Sequence, residues 1–282
     1  MTSFIRRYSP KLVTFFMIGF QASAELPMIT EGQWLGYFAV ASERNYQLTV
    51  NSLDLSIPLK PVNRDGAVIE SSGVNIAFGI MQTSADAVPV VHALRTDTLE
   101  SSSPATADLK RVSFRCKTAG DAVIEISIEK TGGGTLVEGS IVESGTLPKD
   151  SLKPLILLRL PSVYAAETQG KSEWTKDQAK DFEKQISKDR IRLKWLDGMS
   201  ETLKPAAEVD DGIKKSFGSG IVSAEFEFSN WQGKSLHAIT DRASSMSLTM
   251  AGPSLLHEGF EIACMPSLKS TDNKARIQIL IK

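Results

Sequence analysis

Apolar side chains recur at every second residue through much of this chain, and this period constrains the fold more than any other feature. Because successive side chains of a β-strand point to opposite faces, each such run predicts a strand with one buried and one solvated face. Clusters rich in Gly, Asn and Asp, which form tight turns, separate the runs. Many short antiparallel strands predict an all-β fold, either a barrel or a sandwich. The clearest runs have apolar residues at Val74, Ile76, Phe78 and Ile80, at Ile124, Ile126 and Ile128, at Val222, Ala224, Phe226 and Phe228, and at Ala275, Ile277, Ile279 and Ile281.

One segment follows a different period. Between residues 175 and 189, the apolar residues Ala179, Phe182 and Ile186 recur at spacings of three and four, with Lys, Asp and Glu between them. This pattern predicts one amphipathic helix. Thr175 and Gln178 have the spacing of a capping box, which would fix the start of that helix.

The segment before this helix predicts a domain boundary. Residues 163–172 are small and polar and contain a glycine, as linkers commonly do. We therefore expect two antiparallel β domains, at residues 25–162 and 173–282, with the helix between them or capping one of them. Similar residues, His92 and His237 among them, recur about 145 positions apart, which leaves a duplication of one β unit open.

The first 24 residues predict a secretory signal peptide. Three basic residues precede an apolar run over residues 12–20, and small residues at positions 22 and 24 come directly before Glu25. The apolar run is too short to span a bilayer as a helix. We expect Sec-type cleavage before Glu25, and a mature bacterial protein in the periplasm or outside the cell with no integral membrane segment.

The charge balance argues against nucleic acid as a partner. The 32 Lys and Arg residues and 33 Asp and Glu residues are interspersed along the chain, and no basic stripe forms. The two cysteines, Cys116 and Cys264, each end an alternating apolar run. We expect them to be buried thiols in the core, and a disulfide between them stays open as the alternative.

The segment from residue 31 to 161 resembles a lipocalin-like, or calycin-type, β-barrel of exported bacterial proteins. It opens on the sequence GQWLG at residues 32–36 and ends on PLILLR at residues 154–159. The resemblance implies that Trp34 plugs one end of a barrel and that Arg159 lies across its ring, so that the first and last strands close the barrel. A β-sandwich stays open as the alternative fold.

The sequence contains none of the common linear catalytic or metal-binding motifs, such as G-x-S-x-G, H-E-x-x-H or a P-loop. We expect His92, His237 and His257 to be structural. Glu225 and Glu227 lie on one strand face, where paired carboxylates could carry out acid–base chemistry on a glycosidic bond. A solvated outer face is the commoner reason for such a pair.

Trp231 is the remaining candidate. It lies in an Asn-Trp-Gln-Gly turn, where an exposed aromatic ring could stack on a sugar or anchor a protein partner. The alternative is that the ring folds back onto its own domain.

These observations predict a non-catalytic exported binding or accessory protein without a metal or cofactor. If the barrel keeps a cavity, a small apolar molecule is the expected ligand. The alternative is a structural or adhesive envelope protein, or an assembly chaperone, that acts through protein–protein contacts. A hydrolase that uses Glu225 and Glu227 is a third hypothesis.

Overall fold

A computed structural model describes residues 25–70, 73–84, 87–160, 174–204, 217–250 and 259–282. The predicted signal peptide, the predicted linker at residues 163–172 and His257 lie outside these residues.

The described residues form sixteen strands and one α-helix, and they confirm the prediction of an all-β fold with a single helix. The strands are β1 Tyr37–Ser42, β2 Tyr46–Asn51, β3 Ile57–Pro61, β4 Val74–Ser84, β5 Ala87–Ser101, β6 Arg111–Thr118, β7 Val123–Thr131, β8 Gly134–Glu143, β9 Leu152–Leu160, β10 Arg190–Trp195, β11 Ser200–Leu203, β12 Phe217–Glu227, β13 Ser235–Ile239, β14 Ser244–Met250, β15 Phe260–Pro266 and β16 Lys274–Ile281. The helix, α1, is Lys176–Ile186.

Eleven of these strands close into a ring. Its order is β4-β5-β6-β7-β8-β16-β13-β12-β14-β15-β9, and β9 pairs with β4 to complete it. The remaining strands extend this ring, since β3, β2 and β1 continue from β4, and β10 and β11 continue from β12. Closure removes the unpaired edges that an open sheet exposes.

The alternating residues face the inside of the ring. The apolar positions of β4, β7 and β16 are all buried and belong to one hydrophobic core. One predicted position is wrong: Val222 is half-buried, and Ile221 is buried instead. The reason is a shift in the pairing of β12 with β10, where Trp195 lies opposite Ile221 and Lys194 lies opposite Ser223.

The prediction that Trp34 and Arg159 close the barrel is wrong, because β9 closes the ring by pairing with β4. Strand β1 pairs with β2, and both edges of β9 are already occupied by β4 and β15, so β9 has no edge to offer to the first strand. Trp34 ends a short 3₁₀ turn and packs edge-on against Tyr37, with ring centroids 6.0 Å apart. Arg159 donates from Nε to Glu261, its cross-strand partner on β15, at 2.9 Å.

Strands from both sides of the predicted linker pair with each other. Strand β8 pairs with β16 and β9 pairs with β15, so these four strands join the two parts of the chain in one sheet. The division at residues 163–172 lies outside the described residues and stays a prediction.

The helix begins where the capping box predicted. The Thr175 hydroxyl accepts a hydrogen bond from the Gln178 backbone N–H at 3.2 Å, and the Gln178 side-chain oxygen accepts one from the Thr175 backbone N–H at 2.8 Å. Phe182 and Ile186 form its buried face, and Trp174 packs against Phe182 with ring centroids 5.0 Å apart. This apolar face attaches α1 to the core of the ring.

Cys116 and Cys264 are both free and buried, as their alternation predicts. Burial raises the pKa of each thiol, since the thiolate loses its hydration. Each sulfur donates to a backbone oxygen, that of Arg95 for Cys116 and that of Arg276 for Cys264. Along the described parts of the chain, no helix has both the length and the apolar character needed to span a bilayer.

The ring predicts where a truncation is most costly. Ile156 on β9 lies opposite Phe78 on β4 and Cys264 on β15, and it is fully buried. We expect Ile156→Ala to lower the free energy of unfolding by about 2–5 kcal/mol, because it leaves a cavity where three strands meet. Urea unfolding measures this. Val88→Ala, at a position that is 85% exposed, should change it by less than about 0.5 kcal/mol, and equal losses in the two variants would contradict the closure.

Candidate functional site

The outward side of seven neighbouring strands forms a continuous polar surface, which we call the polar face. It is built from the outward residues of β10, β12, β13, β16, β8, β7 and β6, which alternate with the buried core residues. Direct cross-strand pairing places their polar side chains in rows that run across the sheet. Many of these side chains are half-buried, so the face holds charges and hydroxyls in fixed positions.

One row brings together Arg192, Glu225 and His237. Arg192 on β10 lies opposite Glu225 on β12, and Glu225 lies opposite His237 on β13. Oε1 of Glu225 is 3.1 Å from Nε2 of His237. The same nitrogen is 3.0 Å from the Ser235 hydroxyl. The side chains of His237 and Glu225 are 14% and 24% exposed, so the pair is shielded yet reachable from solvent.

Arg192 holds both glutamates of the predicted carboxylate pair. Its Nη1 is 2.8 Å from Oε1 of Glu227 and 3.2 Å from Oε2 of Glu225. The hydrogen bonds to Glu227 and Glu225, of which the one to Glu227 has the larger effect, raise the pKa of Arg192 above its usual value. The permanent positive charge of Arg192 therefore holds both carboxylates in place. They belong to a hydrogen-bonded cluster and do more than form a solvated outer face.

The environment of His237 favours the neutral imidazole. Loss of hydration on burial lowers the pKa of His237 below its ordinary value, and the nearby carboxylate of Glu225 opposes this only in part. A carboxylate can only accept hydrogen bonds, so the neutral ring donates its Nε2 proton to Glu225 and leaves Nδ1 as an acceptor. His237 is thus a base whose tautomer and orientation are set by a neighbouring carboxylate.

This arrangement can transfer protons. A general base must be unprotonated at the working pH to accept a proton from a substrate. The lowered pKa of His237 keeps the ring neutral at neutral pH, and Glu225, 3.1 Å away, is positioned to stabilise the imidazolium that forms when the ring takes up a proton. We conclude that Arg192, Glu225 and His237 form the candidate acid–base site, which we call the Glu–His site.

The other predicted site residues lie elsewhere. Trp231 is fully buried and packs edge-on against Phe228, with ring centroids 5.0 Å apart, so it is not a binding aromatic. The chain folds the ring inward because Trp231 ends a 3₁₀ turn after which Gln232 takes a left-handed conformation. His92 contacts the Gln82 side chain, with Nε2 2.9 Å from Oε1.

The residues that the structure describes contain no group of three or more His, Cys, Asp or Glu that could hold a metal ion. His257 lies outside them. Sequence reasoning placed Glu225 and Glu227 on one face but missed their connection to His237 and Arg192. The available signal was the alternation of Arg190, Arg192 and Lys194 with buried residues on β10, although only the strand register shows which side chains meet.

Known proteins show a weak likeness at the level of fold. No protein-family model matches the chain, and no curated protein matches it significantly. A solved galactose mutarotase-like protein from Lactobacillus casei is similar at 11% identity and a TM-score of 0.46, over 86% of this chain and 99% of that chain. A protein from Escherichia coli K12 assigned as an aldose 1-epimerase is similar at 10% identity and a TM-score of 0.36, over 86% of this chain and 98% of that chain.

The names of both solved structures refer to sugar mutarotation or epimerisation. They contradict the prediction of a non-catalytic binding or accessory protein and its envelope alternative. They also contradict the prediction that the chain is not an enzyme. The predictions rested on the lack of a linear catalytic motif. A cross-strand pair such as Glu225 and His237 leaves no such motif, because pairing and not sequence spacing brings its members together. Of the lipocalin resemblance, the coarser part, a barrel-like all-β fold, is confirmed by the closed ring of strands.

The lowered pKa of His237 predicts a pH-dependent stability. Between the folded pKa and the ordinary value of 6.5 the unfolded chain binds more protons at this ring than the folded chain does. The contribution of His237 is therefore fully present above about pH 6.5 and is lost as the pH falls through the folded pKa. We expect His237→Gln to lose less stability than the wild type between neutral and acidic pH, measured by urea unfolding. Identical pH profiles would contradict the assignment.

Proposed function

We propose that the chain catalyses proton transfer on a sugar at the Glu–His site, as in the interconversion of the two anomers of an aldose. The observation that supports this proposal is the contact between Glu225 and a neutral His237 on an accessible polar surface. Such a pair supplies the base that sugar-ring opening needs.

The charge of the site favours a neutral substrate. Arg192 brings one positive charge against the two carboxylates of Glu225 and Glu227. Lys282 adds a second positive charge near His237, so the charges around the ring balance and the site has no surplus positive charge for a phosphate or carboxylate group. A sugar hydroxyl, by contrast, can donate a hydrogen bond to Nδ1 of His237 and accept one from a neighbouring donor.

The proposed reaction transfers one proton and breaks one carbon–oxygen bond of the sugar ring. His237 takes the proton of the anomeric hydroxyl on Nδ1, and Glu225 stabilises the imidazolium. The bond between the anomeric carbon and the ring oxygen then breaks, and the imidazolium returns the proton to that oxygen, which gives the open-chain aldehyde. Both oxygens are attached to the same carbon, so one nitrogen can serve both. Rotation of the aldehyde and the reverse steps give the other anomer.

The reaction supplies its own test. Freshly dissolved α-glucose and α-galactose are followed by polarimetry, with and without the protein. We expect acceleration over the spontaneous rate, and a loss of about 10²–10⁴-fold in kcat/KM for His237→Asn, as for removal of a general base. The rate should also fall as the pH drops through the lowered pKa of His237, which lies below the ordinary 6.5, because the protonated ring cannot accept a proton.

A matched variant separates the chemistry from the fold. His92→Asn removes the other described histidine, which lies on β5 and is bonded to Gln82, and should retain full activity. Glu225→Gln should slow the reaction, because an amide stabilises the imidazolium less than a carboxylate does. Activity of His237→Asn equal to that of the wild type, or no acceleration with any aldose tested, would overturn the proposal.

We also propose that the protein is exported. The supporting observation is the order of basic, apolar and small residues over positions 1–24. Expressed in a bacterium from its full sequence, the protein should appear in the periplasmic fraction with Glu25 as its first residue, as read by intact mass and N-terminal sequencing. Full-length protein confined to the cytoplasm would contradict this.

A further inference from the structure

A second region of the polar face, on strands β6, β7, β8 and β16, contains a groove that the end of β5 borders. Two adjoining cavities of about 370 Å³ and 240 Å³ form it, and both are lined by Ser113 and Glu125. Ser101 lines the larger cavity, and Ser127 and Ser140 line the smaller one. We call this region, defined by these five residues, the serine groove.

The register of the strands sets the hydroxyls of the groove side by side. Ser113 on β6 lies directly opposite Ser127 on β7, and Ser140 on β8 lies opposite Glu125 on β7. Neighbouring strands are about 4.8 Å apart, so Ser113 and Ser127 are spaced at roughly the separation of hydroxyl groups across a sugar ring. Ser127 lies opposite Glu138, and Ser140 therefore lies diagonally from Ser127, at about 7–8 Å. Ser127 donates to Glu138 at 3.3 Å. The hydroxyls of Ser113 and Ser140 form no hydrogen bond with the part of the chain that the structure describes, and they remain available to a ligand.

The charges in the groove are largely paired. Arg115 bonds Glu125 at 3.1 Å, and Arg276 bonds Glu138 at 2.7 Å. Arg111, which lines the smaller cavity, lies 3.6 Å from Glu129 and 3.9 Å from Glu138. Lys274 and Glu100, which also line the cavities, add one charge of each sign. A site for phosphate or a polyanion would instead present unpaired cationic groups. The groove offers hydrogen bonds in both directions without a net charge, which suits a neutral ligand with many hydroxyls.

One wall of the groove is fixed by its own hydrogen bonds. The hydroxyl of Ser101 donates to the backbone oxygen of Ser113 at 2.8 Å, and the hydroxyl of Ser103 accepts from the backbone N–H of Ser113 at 3.0 Å. The end of β5 is therefore held against β6 before any ligand arrives. Such preorganisation reduces the ordering cost that binding must overcome.

We propose that the serine groove binds the neutral, polyhydroxylated chain of an oligosaccharide. Phe114, the aromatic residue that lines the groove, is buried beneath it and presents no face for stacking. Binding then rests on hydroxyl hydrogen bonds, and the expected dissociation constant is in the millimolar range.

This groove is separate from the Glu–His site. His237 lies opposite Leu280 on β16, and Lys274 at the groove lies six residues away on the same strand. That separation is about 20 Å at the rise of a β-strand. A single sugar bound at His237 therefore does not reach the serine groove. Ligand binding in the groove does not depend on activity at the Glu–His site.

The test is an NMR titration of the full chain with neutral cello-, malto- and galacto-oligosaccharides. We expect saturable shifts of the amide signals of Ser113, Ser127 and Ser140 with at least one of them, unchanged by added salt. Ser113→Val and Ser140→Val should each weaken binding about fivefold, the effect of one net hydrogen bond. Ser247→Val, at a half-buried serine on β14, is the matched control and should bind as the wild type does.

Three outcomes would overturn the proposal: no saturable shift with any neutral oligosaccharide, equal weakening by Ser247→Val, or binding of inorganic phosphate or polygalacturonate in preference to the neutral chains. If a valine variant fails to fold, the location of the shifts in the wild type still decides the question. Oligosaccharide binding in a protein without activity on aldoses would support the groove and count against the Glu–His site alone.

Discussion

The structure depends on the pairing of β9 along both of its edges. One edge bonds β4 through eight paired positions, from Asn75 with Arg159 to Gln82 with Leu152, and the other bonds β15. Without this strand the ring would open into a sheet with two exposed edges, which invite pairing with other chains. The apolar run of β9 is buried on both faces, since Leu155 and Leu157 are buried as well as Ile156 and Leu158, which alternate with them. Closure of the ring therefore depends on one strand.

Closure also explains where chemistry can take place. The inner side of the ring is filled by apolar side chains, and charged groups there would lose their hydration. The outer side keeps contact with water, yet its long rows of cross-strand neighbours fix side chains almost as firmly as a core does. Glu225 and His237 are held by their strands, and the serine hydroxyls are held by theirs. The outer side of the ring thus holds polar side chains in place without burying charges in the apolar core.

The sequence predicts the elements well and their partners poorly. Alternation identified the strands around Ile126 and Ile277, and the capping box identified the start of α1, because these patterns reflect local geometry. It could not show that β9 pairs with β15, whose residues follow about a hundred positions later, since a strand's period does not depend on its neighbour. For the same reason Glu225 was placed on the correct face while its contact with His237 was missed. For Trp231 the sequence left two interpretations open, because a turn residue can point inward or outward with the same sequence, and the inward one is confirmed.

The position of β16 has a consequence for how the molecule forms. This strand follows both of its neighbours in sequence, yet it is inserted between β8 and β13 in the middle of the ring. Neither neighbour can complete its hydrogen bonding until residues 274–281 are available, so closure is a late and cooperative step. Pairings between such distant segments make folding slow. Until this closure, the apolar inner sides of the neighbouring strands stay exposed, which is the state on which chaperones act.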